Sequence, residues 1–111
     1  MEIHDKLTQW GVWAFQNRGV KLGYGKNILG PEFSGKRVYI TDDEAMTIDE
    51  AISALRQADE AAGDAVMMHY LGHTVRDTAR LMATSRSRVS TLITQGRSWL
   101  DGYLFCLDRV R

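Results

Sequence analysis

With 111 residues, an apolar share of 44% and a charged share of 25%, the chain fits one compact domain rather than a disordered segment or a multi-domain protein. No apolar run approaches the roughly 20 residues that cross a bilayer, and the single cysteine, Cys106, excludes an internal disulfide and a cysteine-based zinc cluster. The formal net charge is zero but unevenly spread: residues 1–41 sum to +3, residues 42–64 to −7 and residues 65–111 to +4. This suggests separate surfaces for different partners, against the plainer reading of solvated helix faces.

The chain starts with Glu2, His4, Asp5 and Lys6 where a secretion signal needs its apolar centre, so a cytoplasmic location and no membrane partner are expected. Ile3, Leu7, Trp10 and Ala14 recur at helical spacing and predict a first helix over residues 2–17, with Trp10, Trp13 and Phe15 as core and Gly11 marking close packing. Gly19 is placed to cap it. Residues 19–41 then interleave Gly19, Gly23, Gly25, Gly30, Pro31 and Gly35 with Lys21, Lys26, Lys36 and Arg37. Such a long basic loop suggests that it binds something; residues 37–41 also allow a short strand, with no visible partner. Thr41, Asp42 and Asp43 supply cap oxygens and negative charge for an acidic second helix over residues 43–61, with Met46, Ile48, Ile52, Leu55 and Ala58 inward. Capping is preferred to metal binding for the two aspartates. Gly63 is expected to interrupt, and a short third helix from Ala65 ends near Gly72, a candidate cap.

Thr74 and Asp77 predict a capping box that opens a helix carrying Val75, Thr78, Ala79 and Met82 inward. The helix breaks around Ala83 and Thr84 and restarts behind Ser85 as a second cap. In the last helix Val89, Leu92, Gly96 and either Trp99 or Leu100 face inward, while Arg86, Ser87, Ser90, Thr91 and Gln95 face outward. Tyr103, Leu104 and Leu107 are expected against the first helix. The fold class is therefore all-α: one small helical domain with a C-terminal helix-turn-helix over residues 73–107 and a long glycine-rich loop after the first helix. A brace helix, a sharp turn and a second helix with a polar outer face at its start are the parts that enter a major groove. Arg86 suits a guanine edge or a phosphate, Ser85 a phosphate at the helix start, and Arg76 and Arg80 the DNA backbone; an angled helix pair in an ordinary core is the plain alternative.

No phosphate-binding glycine loop with its lysine, zinc-protease pair or nucleophile elbow occurs, and His4, His69 and His73 lack metal-ligand spacing. Neither catalysis, nor a cofactor, nor a metal is expected.

Tyr70, Leu71 and Gly72 through Ala79, followed by Ser85, Arg86, Arg88 and Val89, resemble the end of sigma factor region 4. The match departs at Ala83, where glycine is usual, and at Ser87, Ser90 and Thr91, so no base preference carries over. Trp10, Gly11, Trp13 and Ala14, the basic loop, Asp42, Asp43, Ile48, Asp49, the His69 and Tyr70 pair, and Leu100, Asp101 and Gly102 together resemble the short, zinc-free type of lambdoid-phage late antiterminator, the Q family, over almost the full length. The resemblance implies a protein that binds double-stranded DNA at a late promoter and loads onto host RNA polymerase so that terminators are read through. Its DNA-facing candidates are Arg76, Arg80, Ser85, Arg86, Ser87, Arg88, Ser90 and Thr91. On that resemblance, the charge and glycine content of the loop suggest that Lys21, Lys26, Lys36 and Arg37 meet the polymerase, where they line the RNA exit path or touch nucleic acid, with a solvated loop as the alternative. One recognition helix reads few base pairs, so two protomers on a repeated site fit the same reading. Two other functions stay open: a repressor or sigma-like regulator without antitermination, and an adaptor that meets polymerase through its acidic helix and never touches DNA.

Overall fold

The computed structural model describes residues 2–18 and 40–110. These residues form five helices and no strand: α1 (Ile3–Arg18), α2 (Asp42–Ala58), α3 (Glu60–Tyr70), α4 (Val75–Leu81) and α5 (Arg86–Val110). The all-α expectation holds. The Gly19 cap, the basic loop and the start of the short strand fall in residues 19–39, outside the described residues, while Ile40 is buried in the core.

In α1 the apolar stripe decides what is buried: Leu7, Trp10, Val12, Trp13 and Ala14 all lie inside, with Ile3 and Phe15 packed at the margin. A buried indole N–H needs an acceptor. Trp13 Nε1 donates to Asp42 Oδ1 at 2.9 Å and Trp10 Nε1 to Asp49 Oδ1 at 3.3 Å. Because the later tryptophan meets the earlier aspartate, α1 and α2 run antiparallel, and Asp42 serves the helix interface.

At the start of α2, Glu44 N–H donates to Thr41 Oγ1 at 3.1 Å and Thr41 N–H to Glu44 Oε1 at 3.4 Å. Thr41 caps as expected, and Glu44 completes a reciprocal box. Ala45, Ile48, Ala51, Ile52 and Leu55 form the inner face. Met46, expected inward, is 53% exposed, because it lies about 100° around the helix from Ala45. Ala58, also expected inward, sits exposed in the last turn.

The second helix ends at Ala58 rather than residue 61, and the third begins at Glu60 rather than Ala65. The reason is Asp59, which is extended (φ −152°, ψ 94°) and serves both helices. Its N–H donates to Leu55 O at 2.7 Å, and its carboxylate accepts from Ala62 N–H at 3.2 Å. One residue therefore turns the chain back on itself. Gly63 lies inside α3 and does not interrupt it. A Cβ there would overlap Arg56 Cγ and lie 2.8 Å from Arg56 Cα, so glycine is what lets α2 and α3 approach so closely. Arg56 Nε then reaches Asp64 Oδ1 at 2.8 Å across the same corner.

α3 is buried along nearly its whole length, through Ala62, Gly63, Ala65, Val66, Met67, Met68 and Tyr70, as expected for a helix surrounded by others. It packs against α1, α2, α4 and α5. Gly96 of α5 meets it where a Cβ would overlap Val66 Cγ2 and lie 3.4 Å from Ala62 O. At about 1.5 Å per residue the 25 residues of α5 span about 37 Å, which matches the longest dimension of the described residues, 38 Å.

Candidate nucleic-acid interface

Helix α4 is delimited at both sides by the same backbone device. After α3, Gly72 takes φ 105°, Gly72 N–H donates to His69 O at 3.2 Å and His73 N–H to Met68 O at 3.1 Å. After α4, Ala83 takes φ 54°, Ala83 N–H donates to Arg80 O at 3.2 Å and Thr84 N–H to Ala79 O at 2.9 Å. Both are Schellman motifs, in which a left-handed residue lets two N–H groups close off the last carbonyls. The Gly72 cap matches its expectation. Ala83, noted in the sequence for standing where glycine is usual, occupies the left-handed position itself.

Thr74 Oγ1 accepts from Asp77 N–H at 3.0 Å, giving the expected cap of α4. The reciprocal half of the expected box is replaced: the Asp77 carboxylate, one methylene shorter than glutamate, turns to Arg80 Nη2 at 3.5 Å. Thr78 is fully buried, and its hydroxyl is satisfied by Thr74 O at 2.9 Å. Thr78 and Ala79 of α4, with Val89 and Leu92 of α5, form the buried floor of the turn, and Val75 and Met82 pack at its edge. Ser85 Oγ accepts from Arg88 N–H at 3.1 Å, so α5 starts behind the expected serine cap.

On this floor all eight residues singled out in the sequence, Arg76, Arg80, Ser85, Arg86, Ser87, Arg88, Ser90 and Thr91, are exposed. Arg76 and Arg80, four apart, share one edge of α4. Arg86 and Arg88 flank the first turn of α5. Among the described residues only Arg80 of these four arginines is in an ion pair, and an exposed contact of 3.5 Å leaves it most of its donors. The surface thus presents positive charge with little neutralisation of its own. Thr94 and Gln95 are exposed as well and continue the strip; the helical spacing that picked out Ser87 and Ser90 reaches them. Leu100 takes the inward place and Trp99, 36% exposed, stacks on Tyr103 at 5.1 Å.

Behind the floor a polar network joins three helices. Arg97 Nη1 of α5 donates to the Tyr70 hydroxyl of α3 at 3.4 Å, and that hydroxyl, already accepting, bonds His4 Nδ1 of α1 at 2.8 Å. His69 packs edge-on against Tyr70 at 4.8 Å, and its Nδ1 has no partner among the described residues. Burial, then Arg97, then His4 hold the His69 imidazole below its usual pKa; burial lowers His73 as well, with Asp77 opposing. Burial raises the Tyr70 phenol, against the Arg97 hydrogen bond. His4, His69 and His73 line one surface cavity, a convergence absent from the sequence reading. Among the described residues no His, Cys, Asp or Glu group is arranged to hold a metal ion, and no helix is long and apolar enough to cross a membrane. Lys21, Lys26, Lys36 and Arg37 lie outside the described residues.

No match was found among curated proteins or among solved structures. The family model of phage antitermination protein Q matches residues 1–111, the whole chain. With its full length matched, from the first helix through the exposed arginine-bearing turn to the end of α5, the chain belongs to the phage antitermination protein Q family.

Proposed function

We propose that this phage antiterminator binds double-stranded DNA at a late promoter through α4, the turn and the start of α5, and modifies host RNA polymerase to read through terminators. It would be of the short, zinc-free type, with α4 and α5 serving as a sigma-region-4-like helix-turn-helix. One observation carries the reading: four exposed arginines, one of them weakly paired, lie on α4 and in the first turn of α5, whose serine-capped start opens an outer face of short polar side chains. Such a helix start suits the major groove, with α4 bracing it through Arg76 and Arg80 on the phosphates.

Duplex binding at several salt concentrations tests the DNA half. If all four arginines neutralise phosphates, log affinity falls with log salt at a slope of about 3.6 per protomer, and a pair of protomers on a repeated site steepens it. Transcription with purified polymerase tests the other half: with its cognate element in the template, the protein extends transcripts past a terminator. A repressor binds the duplex without readthrough.

A polymerase-binding adaptor is favoured by one feature, the outer side of α2, where Asp43, Glu44, Met46 and Glu50 are all exposed. That reading gives readthrough without specific duplex binding.

A further inference from the structure

Between Arg88 and Arg97 the outer face of α5 is uncharged and built mostly from short side chains: Ser90, Thr91 and Thr94 are exposed, with Gln95 alone long enough to reach out. Two of these side chains are already engaged within the helix. Thr91 Oγ1 donates to Ser87 O at 3.1 Å and Thr94 Oγ1 to Ser90 O at 3.0 Å. Each bond commits the hydroxyl proton to the helix and holds a β-branched side chain in one rotamer. With that proton committed, what each threonine has left to offer is its γ-methyl group and the acceptor lone pairs of its hydroxyl, with no donor.

In the major groove the apolar feature of a base edge is the thymine C5-methyl, and threonine methyl groups are among its usual contacts. Resting on the proposal that α5 enters the groove, we propose that Thr91 and Thr94 read thymine methyl groups and so determine part of the DNA sequence recognised. Positions three apart on one helix face place their Cβ atoms about 5 to 6 Å apart, against about 3.4 Å per base step along a strand. The two methyl contacts therefore fall within two base steps of each other. The short side chains around them let the helix backbone come near the base edges, which contact between two methyl groups requires.

The test uses duplexes selected by this protein from a randomised library. Each thymine in a selected duplex is replaced in turn by deoxyuridine, which removes the C5-methyl alone. The wild-type protein loses about fourfold in affinity at one or two neighbouring thymines, as one buried methyl group predicts. Thr91→Ser and Thr94→Ser keep the hydroxyl and its helix bond; each binds the thymine duplex about fourfold more weakly and is indifferent to deoxyuridine at one of those positions. Equal binding of every deoxyuridine duplex by the wild type overturns the inference while leaving DNA reading intact, as does a penalty that survives both substitutions together. Failure to enrich any duplex, with no binding at low salt, instead overturns the DNA reading on which it rests.

Discussion

At Ala83 the chain holds a non-glycine residue at φ 54°, and Ala83→Gly asks what that conformation costs. A Cβ in the left-handed region is disfavoured by about 1 to 2 kcal/mol. Glycine removes that strain but adds freedom to the unfolded chain, which costs about 0.4 to 1 kcal/mol. Ala83 is exposed, so loss of its methyl group adds little on the hydrophobic side. Central values leave a net stabilisation of about 0.8 kcal/mol. With a urea m-value of about 2 kcal/mol/M this moves the midpoint up by about 0.4 M at unchanged m, and the melting temperature by about 3 °C. Gly72→Ala is the matched control: at φ 105° it introduces the Cβ that Ala83→Gly removes, so its midpoint falls. A lower midpoint for Ala83→Gly would refute the assignment of strain to the turn.

Arg80→Ala is expected to weaken binding to every duplex alike and reduce the salt slope by about one, whereas Arg86→Ala costs about 1 to 3 kcal/mol on the selected site and relaxes preference at one base. Equal losses for Arg86→Ala on all sequences reassign it to phosphate. Gly63→Ala places a Cβ 2.8 Å from Arg56 Cα and 2.9 Å from Arg56 N. Backbone atoms cannot swing aside, so α2 and α3 must part. Overpacking of about 1 to 3 kcal/mol outweighs about 1 kcal/mol of gained helix propensity, and the denaturation midpoint drops; a rise would show that the corner opens freely. For pH, His69 and His73 are held below their ordinary 6.5, so below that pH the unfolded chain binds more protons and stability falls as the solution is acidified. Urea titrations at pH 7.5 and 5.5 measure the loss, and His69→Gln reduces it. Equal stability at both pH values contradicts the burial argument.

Much of the fold was legible because its causes are local. Thr41, Gly72, Thr74 and Ser85 act on backbone groups within a few residues of themselves, and the apolar spacing of α1 and α5 was enough to orient them. The exposed strip of the candidate interface follows from the same periodicity. Gly63 shows where this stops. Read along the chain, a glycine after a helix suggests a break; in the fold it is a point of contact with Arg56, seven residues earlier. Asp59 was no better marked, since its two caps need a corner that spacing does not announce.

From the sequence alone came the helical class, the inward faces apart from Met46 and Ala58, and the arginine-bearing turn, each set by the 3.6-residue repeat and by caps that act over a single turn. Tertiary structure alone decided the joining of distant positions. His4 meets Tyr70 across 66 residues, Trp10 meets Asp49 across 39 and Trp13 meets Asp42 across 29. No local rule reports such pairs, because a buried polar atom takes its partner from whichever helix packing brings beside it.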